Sequence, residues 1–466
     1  MITESDFLSI FGGAIRARRA AVFVGAGVSQ SSGLPSWDQL MAPLRDAADV
    51  PSTVTDPTVV AEYARQELDE NVVERLILQE LKRSASASPS DALIQLLTID
   101  VADIWTTNFD TLIEDAAPTL EKIIVEDDYQ NAQSPFAHRL TKLHGSLTRA
   151  PDGELSWKDR PVFTRSDFEQ FERRHPLKWA MLRAQFLTSS FLFLGFSFSD
   201  PNISALMKIV RSLPTDIQRL PHFAVMKKPT EKDELREFEL FSKDLEHSGI
   251  RAVAVDEFAE IPSLLRRLGR HALPPNLFVA GDGKGNDQTA AVLESMGAVL
   301  TQLPDDLSIL SFDGKSARAV AEGYKASRGP DGYSAERIRA YYRKSPNGDR
   351  SIDVARFGTA VFTDLPLDDM RSQVMKDVRA LLVIGSGGRT LEESRLAQTL
   401  DIPVVPLAMS GPSAREIWES GAEQCGFGPE HEHDWQMLAD GNPAAATQAA
   451  VRLLESALGS TALGSR

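Results

Sequence analysis

Ala21-Val22-Phe23-Val24-Gly25-Ala26-Gly27 is the stretch on which the reading of this chain turns. Its apolar run is unbroken and short, which predicts a strand buried on both faces, as in a parallel sheet. The glycines that follow predict a tight turn opening a helix. A residue without Cβ lets backbone N–H groups approach a diphosphate, and a helix N-terminus favours negative charge. The same turn also fits a strand–helix junction with no ligand at all.

Working outward, ADIWTTN (Ala102–Asn108) is a second apolar strand, followed by the helix-like FDTLIEDA. The stretch around Leu143 leads into a third, and SSFLFLGFSF (Ser189–Phe198) reads as a fourth. Short apolar runs separated by helical stretches predict an α/β, Rossmann-like domain with a parallel sheet covered on both faces. Residues 38–97 and 166–184 read as helical excursions forming a lid or satellite bundle. Each strand ends in polar or glycine residues: Thr106-Thr107-Asn108-Phe109-Asp110, Lys142-Leu143-His144-Gly145-Ser146, and Gly195-Phe196-Ser197-Phe198-Ser199-Asp200-Pro201-Asn202. The carboxyl ends of the strands are where open α/β sheets bind ligands.

The pattern restarts at HALPPNLFVAGDG, where Pro274-Pro275 reads as a linker. Two domains are expected, residues 1–273 and 274–466. The second alternates LSILSF, a helical AERIRAYYRKS, GTAVFTD, RALLVIGSGG, a helical TLEESRLAQTL and IPVVPLA. After Pro443 an Ala-rich helix runs into a disordered GSTALGSR.

The 466 residues are 42% hydrophobic and 25% charged, ordinary for a globular chain of more than one domain. A formal net charge of -16 argues against a nucleic-acid or membrane-surface binder, since both need clustered cations. The single cysteine, Cys425, cannot supply a four-cysteine zinc site or a disulfide framework. The amino terminus lacks a signal peptide's basic and apolar regions, and no apolar run is long enough to span a membrane, so a cytoplasmic location is expected. His431-Glu432-His433-Asp434 has metal-like residue types but reads as a surface loop, and no metal is assigned.

In GAGVS, TTNFD, LHGS and GFSFSDPN the first domain resembles the sirtuin superfamily, which implies cleavage of a glycosidic bond to a cationic leaving group, and the residue types at the strand ends are consistent with that chemistry. Such a reaction needs an oriented ribose, a polar group beside a hydroxyl or water, and exclusion of solvent. A neutral imidazole at His144 could accept a proton near pH 7. The Asn108 amide could both donate to and accept from ribose hydroxyls. Other readings stay open: His144 as a buried strand-end histidine, Asn108 and Asp110 as a helix N-cap pair, and Trp37 as a core residue.

In this order GAGVS with its downstream SGLP, TTNFD, LHGS and GFSFSDPN resemble the sirtuin superfamily, over residues 5–270. The resemblance implies NAD as a ligand. Gly25, Ala26, Gly27 and Ser29 would hold its diphosphate, and Asn108 and Asp110 its nicotinamide ribose. His144 would be the catalytic histidine, Gly195 and Ser197 would line the adenosine end, and Thr107, Asp200 and Trp37 would join the NAD-binding set. The chain departs from the deacylase pattern by lacking the four zinc cysteines and by carrying Trp37-Asp38 where an aromatic-basic pair is expected. Both departures are similar to the sirtuin-like NAD hydrolases of bacterial defence.

Val383–Ser394 (VIGSGGRTLEES) resembles the PGGxGTxxE motif of the LOG and SLOG nucleotide-binding families. Gly385, Ser386, Gly387, Arg389, Thr390 and Glu393 fall on it. Together with Gly281, Asp282 and Arg371 they form the expected activator site, with Lys315 and Arg318 as further contacts. Arg389, in place of a glycine, suits a phosphorylated ligand better than hydrolysis. Thr390 and Glu393 also fit a capping box.

A sirtuin-like domain followed by a SLOG domain resembles the NADase effectors of Thoeris anti-phage defence. The resemblance implies a metal-free NAD hydrolase, gated by a cyclic ADP-ribose isomer that a TIR-domain partner makes, in a homotetramer or larger assembly. The rival readings are an NAD-dependent protein deacylase and a nucleotide sensor without catalysis.

Overall fold

Ala20–Val24 forms β1, buried at every position. It belongs to a computed structural model that describes residues 2–83, 87–131, 138–198, 200–212, 220–281, 287–329, 332, 334–344 and 358–458. The chain divides into two compact units, Met1–Gly269 and Arg270–Arg466.

In the first unit β1 is followed by β2 (Asp103–Thr106), β3 (Glu121–Ile123), β4 (Arg139–Lys142), β5 (Ser146–Arg149), β6 (Leu155–Asp159), β7 (Ser190–Leu194), β8 (His222–Lys227) and β9 (Ile250–Val255). Seven of these form one sheet in the order β3-β4-β2-β1-β7-β8-β9, with every pairing parallel. The continuous apolar runs of β1 and β7 follow from this placement, since both strands lie inside the sheet and bury every residue. β5 and β6 form a separate antiparallel hairpin that the apolar pattern did not announce.

Both excursions are helical. The first holds Trp37–Ala47, Pro57–Glu67, Glu70–Arg83 and Asp91–Leu97, and the second holds Arg165–Glu169, Phe171–Arg174 and Pro176–Thr188. Leu40, Leu44, Val60, Val73 and Ile77 of the first share a core with Phe109 and Phe163. The two excursions are also clasped by charge. Arg65 grips the carboxylate of Asp167 with both terminal nitrogens, at 2.9 and 2.8 Å, and Arg174 adds a third contact at 2.9 Å. Asp167 is buried, so these partners keep its charge compensated. They also hold its carboxyl below the usual range against the opposing effect of burial.

The second unit contains β10 (Asn276–Ala280), β11 (Ser308–Ser311), β12 (Ile338–Arg343), β13 (Thr359–Thr363), β14 (Ala380–Val383) and β15 (Val404–Pro406). They form a six-stranded parallel sheet in the order β13-β12-β11-β10-β14-β15. One expectation is corrected here: AERIRAYYRKS is mainly strand β12, after the single 3-10 turn Ala335–Arg337. Ile338, Tyr341 and Tyr342 satisfy helical spacing, which misled the reading. Ile338, Ala340 and Tyr342 equally satisfy alternation, and pairing with both β11 and β13 decides for the strand. The Ala-rich helix is present as Pro443–Leu458, while the expected disordered tail from Gly459 lies outside the described residues.

Candidate active site

Four loops leave the carboxyl ends of the neighbouring strands β4, β2, β1 and β7. The chain runs to one side of β1 through β2 and to the other through β7, which makes β1 the switch point where such sheets open a crevice.

The loops after β1 and β7 interlock. Gly25 N–H donates to Leu194 O at 2.9 Å, and Gly27 N–H to Gly195 O at 2.9 Å. A Cβ on Gly25 would stand 2.4 Å from Gly195 O, and one on Gly195, whose φ is +65°, 2.5 Å from Val28 N. Only glycine permits this approach. Because these amides are already given to the β7 strand and loop, a diphosphate-holding role for the turn is a proposal that requires the two loops to part. Ala26 and Ser29 lie in the short helix Ala26–Gln30 that follows.

Asn108 and Asp110 arrive on the loop after β2 and meet Ser29. The Asn108 side-chain amide donates to Ser29 Oγ at 2.8 Å and to Gly25 O at 3.1 Å. Ser29 Oγ–H donates to Asp110 Oδ2 at 2.7 Å, and Asp110 Oδ1 accepts from Leu112 N at 3.0 Å. The N-cap of the short helix Leu112–Ala116 is Thr111, with no side-chain cap, so neither Asn108 nor Asp110 is the N-cap; Asp110 bonds Leu112 N from the loop ahead of it, and Asn108 turns toward the β1 loop. Thr107 is half-buried between them. Thr106 fastens the start of the loop, its hydroxyl donating to Val24 O and accepting from Asn108 N.

His144 leaves β4 at a turn where Gly145 has φ +93°, and a Cβ there would be 2.6 Å from Arg160 O. The imidazole is 3% exposed and meets Phe168 and Phe171 edge-on, with centroids 5.0 and 5.7 Å away. Both phenylalanines belong to the second helical excursion, which thus covers the ring. Nε2 lies 3.5 Å from Asp200 Oδ2. Burial pushes the imidazole below its ordinary value of 6.5; Asp200 pulls it up, and the wholly buried Lys178 pushes it further down. At neutral pH it is an uncharged acceptor.

Asp200 heads the helix Pro201–Ser212, its Oδ1 accepting from Ile203 N at 3.4 Å. Ser197 is exposed on the same loop. Trp37 begins the helix Trp37–Ala47 and packs 6.1 Å from Phe109, within the insertion core. The sequence reading missed the Arg65–Asp167–Arg174 clasp and the buried Lys142. No motif announces the first, whereas the second was in view as the residue two before His144.

In the second unit β10 is again the switch point, flanked by β11 and β14. Gly281, with φ +149°, lies so close to β14 that a Cβ would be 2.1 Å from Ile384 O. Gly385 and Gly387 have φ +89° and +140°, and their N–H groups donate to Ser410 and Ser413 hydroxyls at 2.8 and 3.0 Å. The helix Gly388–Thr399 follows with Gly387 as its N-cap, so Thr390 lies buried in the first turn and makes no capping box with Glu393. Arg389 and Gly388 are exposed, and Ser386 is half-buried. Arg371 pairs with Glu392 at 2.9 Å and Asp368 at 3.4 Å. Burial pushes the neighbouring Glu393 carboxyl up to about 7, although Arg371 and Arg389 oppose it. Arg318 is tied to Asp313 by two contacts at 2.6 and 3.2 Å. Asp282 lies outside the described residues.

Among the described residues no group of three or more His, Cys, Asp or Glu is placed to hold a metal, and no helix is long and apolar enough to cross a membrane. His431 instead meets Ser456 at 2.8 Å, and Asp434 meets Arg452.

The SIR2-like domain family matches residues 102–251, which include Asn108, His144 and the β7 loop. NAD(+) hydrolase ThsA of Enterococcus faecium is 27% identical over 312 residues, covering 62% of each chain. The match therefore spans under two thirds of that relative's length. NAD(+) hydrolase ThsA of Acinetobacter baumannii is 24% identical over 85% of this chain and 86% of its own, and that of Cytobacillus dafuensis 23% over 90% and 88%. The chain is thus similar to the ThsA proteins along most of its length, and its residues 102–251 match the SIR2-like domain family.

Proposed function

We propose that this protein is an NAD hydrolase, switched on by a cyclic ADP-ribose isomer bound in the second unit, and that it defends cells against phage by depleting NAD. The observation that carries the hydrolase reading is the convergence of the Asn108–Ser29–Asp110 network and the neutral, buried His144 at one end of the first sheet. Relatives named NAD(+) hydrolase ThsA support it.

The chemistry follows from the groups present. NAD and water give ADP-ribose, nicotinamide and a proton. The C–N bond breaks with its electron pair passing to the pyridine nitrogen, so the leaving group departs neutral. Asn108 and Asp110 orient the ribose, and the uncharged His144 takes the proton that water releases on adding to the anomeric carbon. Phe168 and Phe171 exclude bulk water from the imidazole, and their cover over the ring suits an enzyme held idle until called. The activator contacts are Gly281, Asp282, Arg371, Gly385, Ser386, Gly387, Arg389, Thr390 and Glu393. A TIR-domain partner supplies the activator, the assembly is a homotetramer or larger, and the protein acts in the cytoplasm without a metal.

Nicotinamide release by the full-length protein, with and without cyclic ADP-ribose isomers, tests the reading. Release that rises with an isomer is expected. Folded protein that releases none under either condition would overturn it, and NAD-dependent turnover of an acyl-peptide would replace it with deacylation.

A further inference from the structure

The first unit's core buries a lysine that the proposed chemistry does not use. Lys142 ends β4, and its side chain is 1% exposed. Moving an ammonium out of water is costly, and a buried ion pair seldom recovers more than that cost. The pairing with Glu114 Oε1 at 3.0 Å is therefore a weak reason for the ammonium to be here.

What else it touches supplies a better one. Lys142 Nζ donates to Asp110 O and, at 3.3 Å, to Phe109 O. With Glu114 these contacts occupy the three N–H groups of an ammonium. Two successive carbonyls of the loop after β2 are thus pinned from below by one side chain of β4. Asp110 is held at both ends, its carbonyl by Lys142 and its carboxylate by Ser29. Ser29, its O–H donating to Asp110, accepts from the Asn108 amide. That fixes which end of Asn108 faces inward: the nitrogen is spent on Ser29 and Gly25, which leaves the oxygen for a ribose hydroxyl or a water.

We propose that Lys142 is a positioning residue for NAD cleavage, whose buried ammonium anchors the Phe109 and Asp110 carbonyls and through them sets the orientation of the Asn108 amide. The inference rests on the hydrolase reading above. A displacement near 1 Å of a group that orients the reacting bond costs about 100-fold in rate.

The test compares full-length Lys142→Met, Lys142→Arg and Glu114→Gln with wild type. Three quantities are measured: steady-state nicotinamide release, thermal melting, and amide hydrogen exchange of the segment 106–114. Lys142→Met is expected to lower kcat about 100-fold while KM for NAD changes by less than about threefold, with faster exchange in that segment. Lys142→Arg, which keeps a cation and donors, recovers most of the lost kcat. Glu114→Gln leaves the ammonium on the two carbonyls and keeps kcat within about threefold of wild type.

Three results would overturn the proposal. One is Lys142→Met with kcat per folded molecule unchanged. Another is Glu114→Gln falling as far as Lys142→Met, which would make the ion pair the operative contact. The third is kcat declining only in step with melting temperature in all three variants, the mark of a merely structural lysine. A wild type that releases no nicotinamide overturns the hydrolase reading instead. Exchange in 106–114 then still decides the anchoring: protection unchanged in Lys142→Met ends it.

Discussion

The two units place their crevices by the same device and furnish them differently. In each, a glycine after a central strand lies against the backbone of the neighbouring strand's loop. A Cβ on Gly25 would stand 2.4 Å from Gly195 O, and one on Gly281 2.1 Å from Ile384 O. In the first unit the side chains that arrive are an amide and a hydroxyl, networked with Asp110, and an uncharged imidazole beside Asp200. In the second, Arg371 pairs with Glu392, and Arg371 and Arg389 act on the buried Glu393 carboxyl, two cations among carboxylates. A glycine turn therefore reports how closely two strands' loops approach. The residues delivered by the neighbouring strands decide the chemistry.

If that division is right, the largest effect belongs to a side chain of the first crevice. Asn108→Ala is expected to lower nicotinamide release per folded molecule about 1000-fold, since orientation of the reacting bond can reach that size. A variant that keeps more than a tenth of wild-type turnover would strip the first crevice of its catalytic character.

Next come the glycines that both units share. Gly25→Ala and Gly281→Ala each push a methyl group into a carbonyl oxygen, and each should cost about 3 kcal/mol or more in urea unfolding. Gly388→Ala, with nothing within 4 Å of its Cβ position, should stay within about 0.5 kcal/mol. Equal costs at Gly25 and Gly388 would mean that the loops after β1 and β7 are not interlocked.

Much of this was legible in the sequence, because the informative residues are the ones with few alternatives. AVFVGAG and SSFLFLGFSF admit little besides buried strands and glycine turns, and both became central strands of the parallel sheet. IRAYYR satisfies helical and alternating spacing together, and only pairing with two neighbouring strands separates them. Contacts between distant segments left no local pattern. Nothing near Arg65 points to Asp167, and nothing near Asn108 says that its amide meets Ser29. Lys142 sits within the KLHGS motif, yet a lysine beside a strand end normally reads as a solvated charge. Thr390 illustrates the opposite failure, since the spacing of a capping box was present while Gly387 took the cap.

The smallest effect separates the units by pH. In the first, burial pushes His222 down to about 3; its Nδ1 accepts from Phe191 N, and its ring stacks on Phe186 at 4.2 Å. Between pH 3 and 6.5 the unfolded chain holds a proton there that the folded one lacks, so His222 makes stability rise with pH across that window. In the second unit burial pushes Glu393 up to about 7 from 4.5. Between those values the folded chain holds the proton and the unfolded one does not, so Glu393 makes stability fall as pH rises. Each slope can reach about 1.4 kcal/mol per pH unit. Unfolding of wild type, His222→Gln and Glu393→Gln at pH 5, 6 and 7 reads them as differences. Relative to wild type, the His222 variant should be least penalised at the acid end and the Glu393 variant most favoured at the neutral end. Glu393→Gln should also remove the pH dependence of anion binding at that crevice, because a neutral carboxyl admits a phosphate that a carboxylate repels. Matching slopes in the two variants would erase the electrostatic difference between the crevices and leave only the catalytic one.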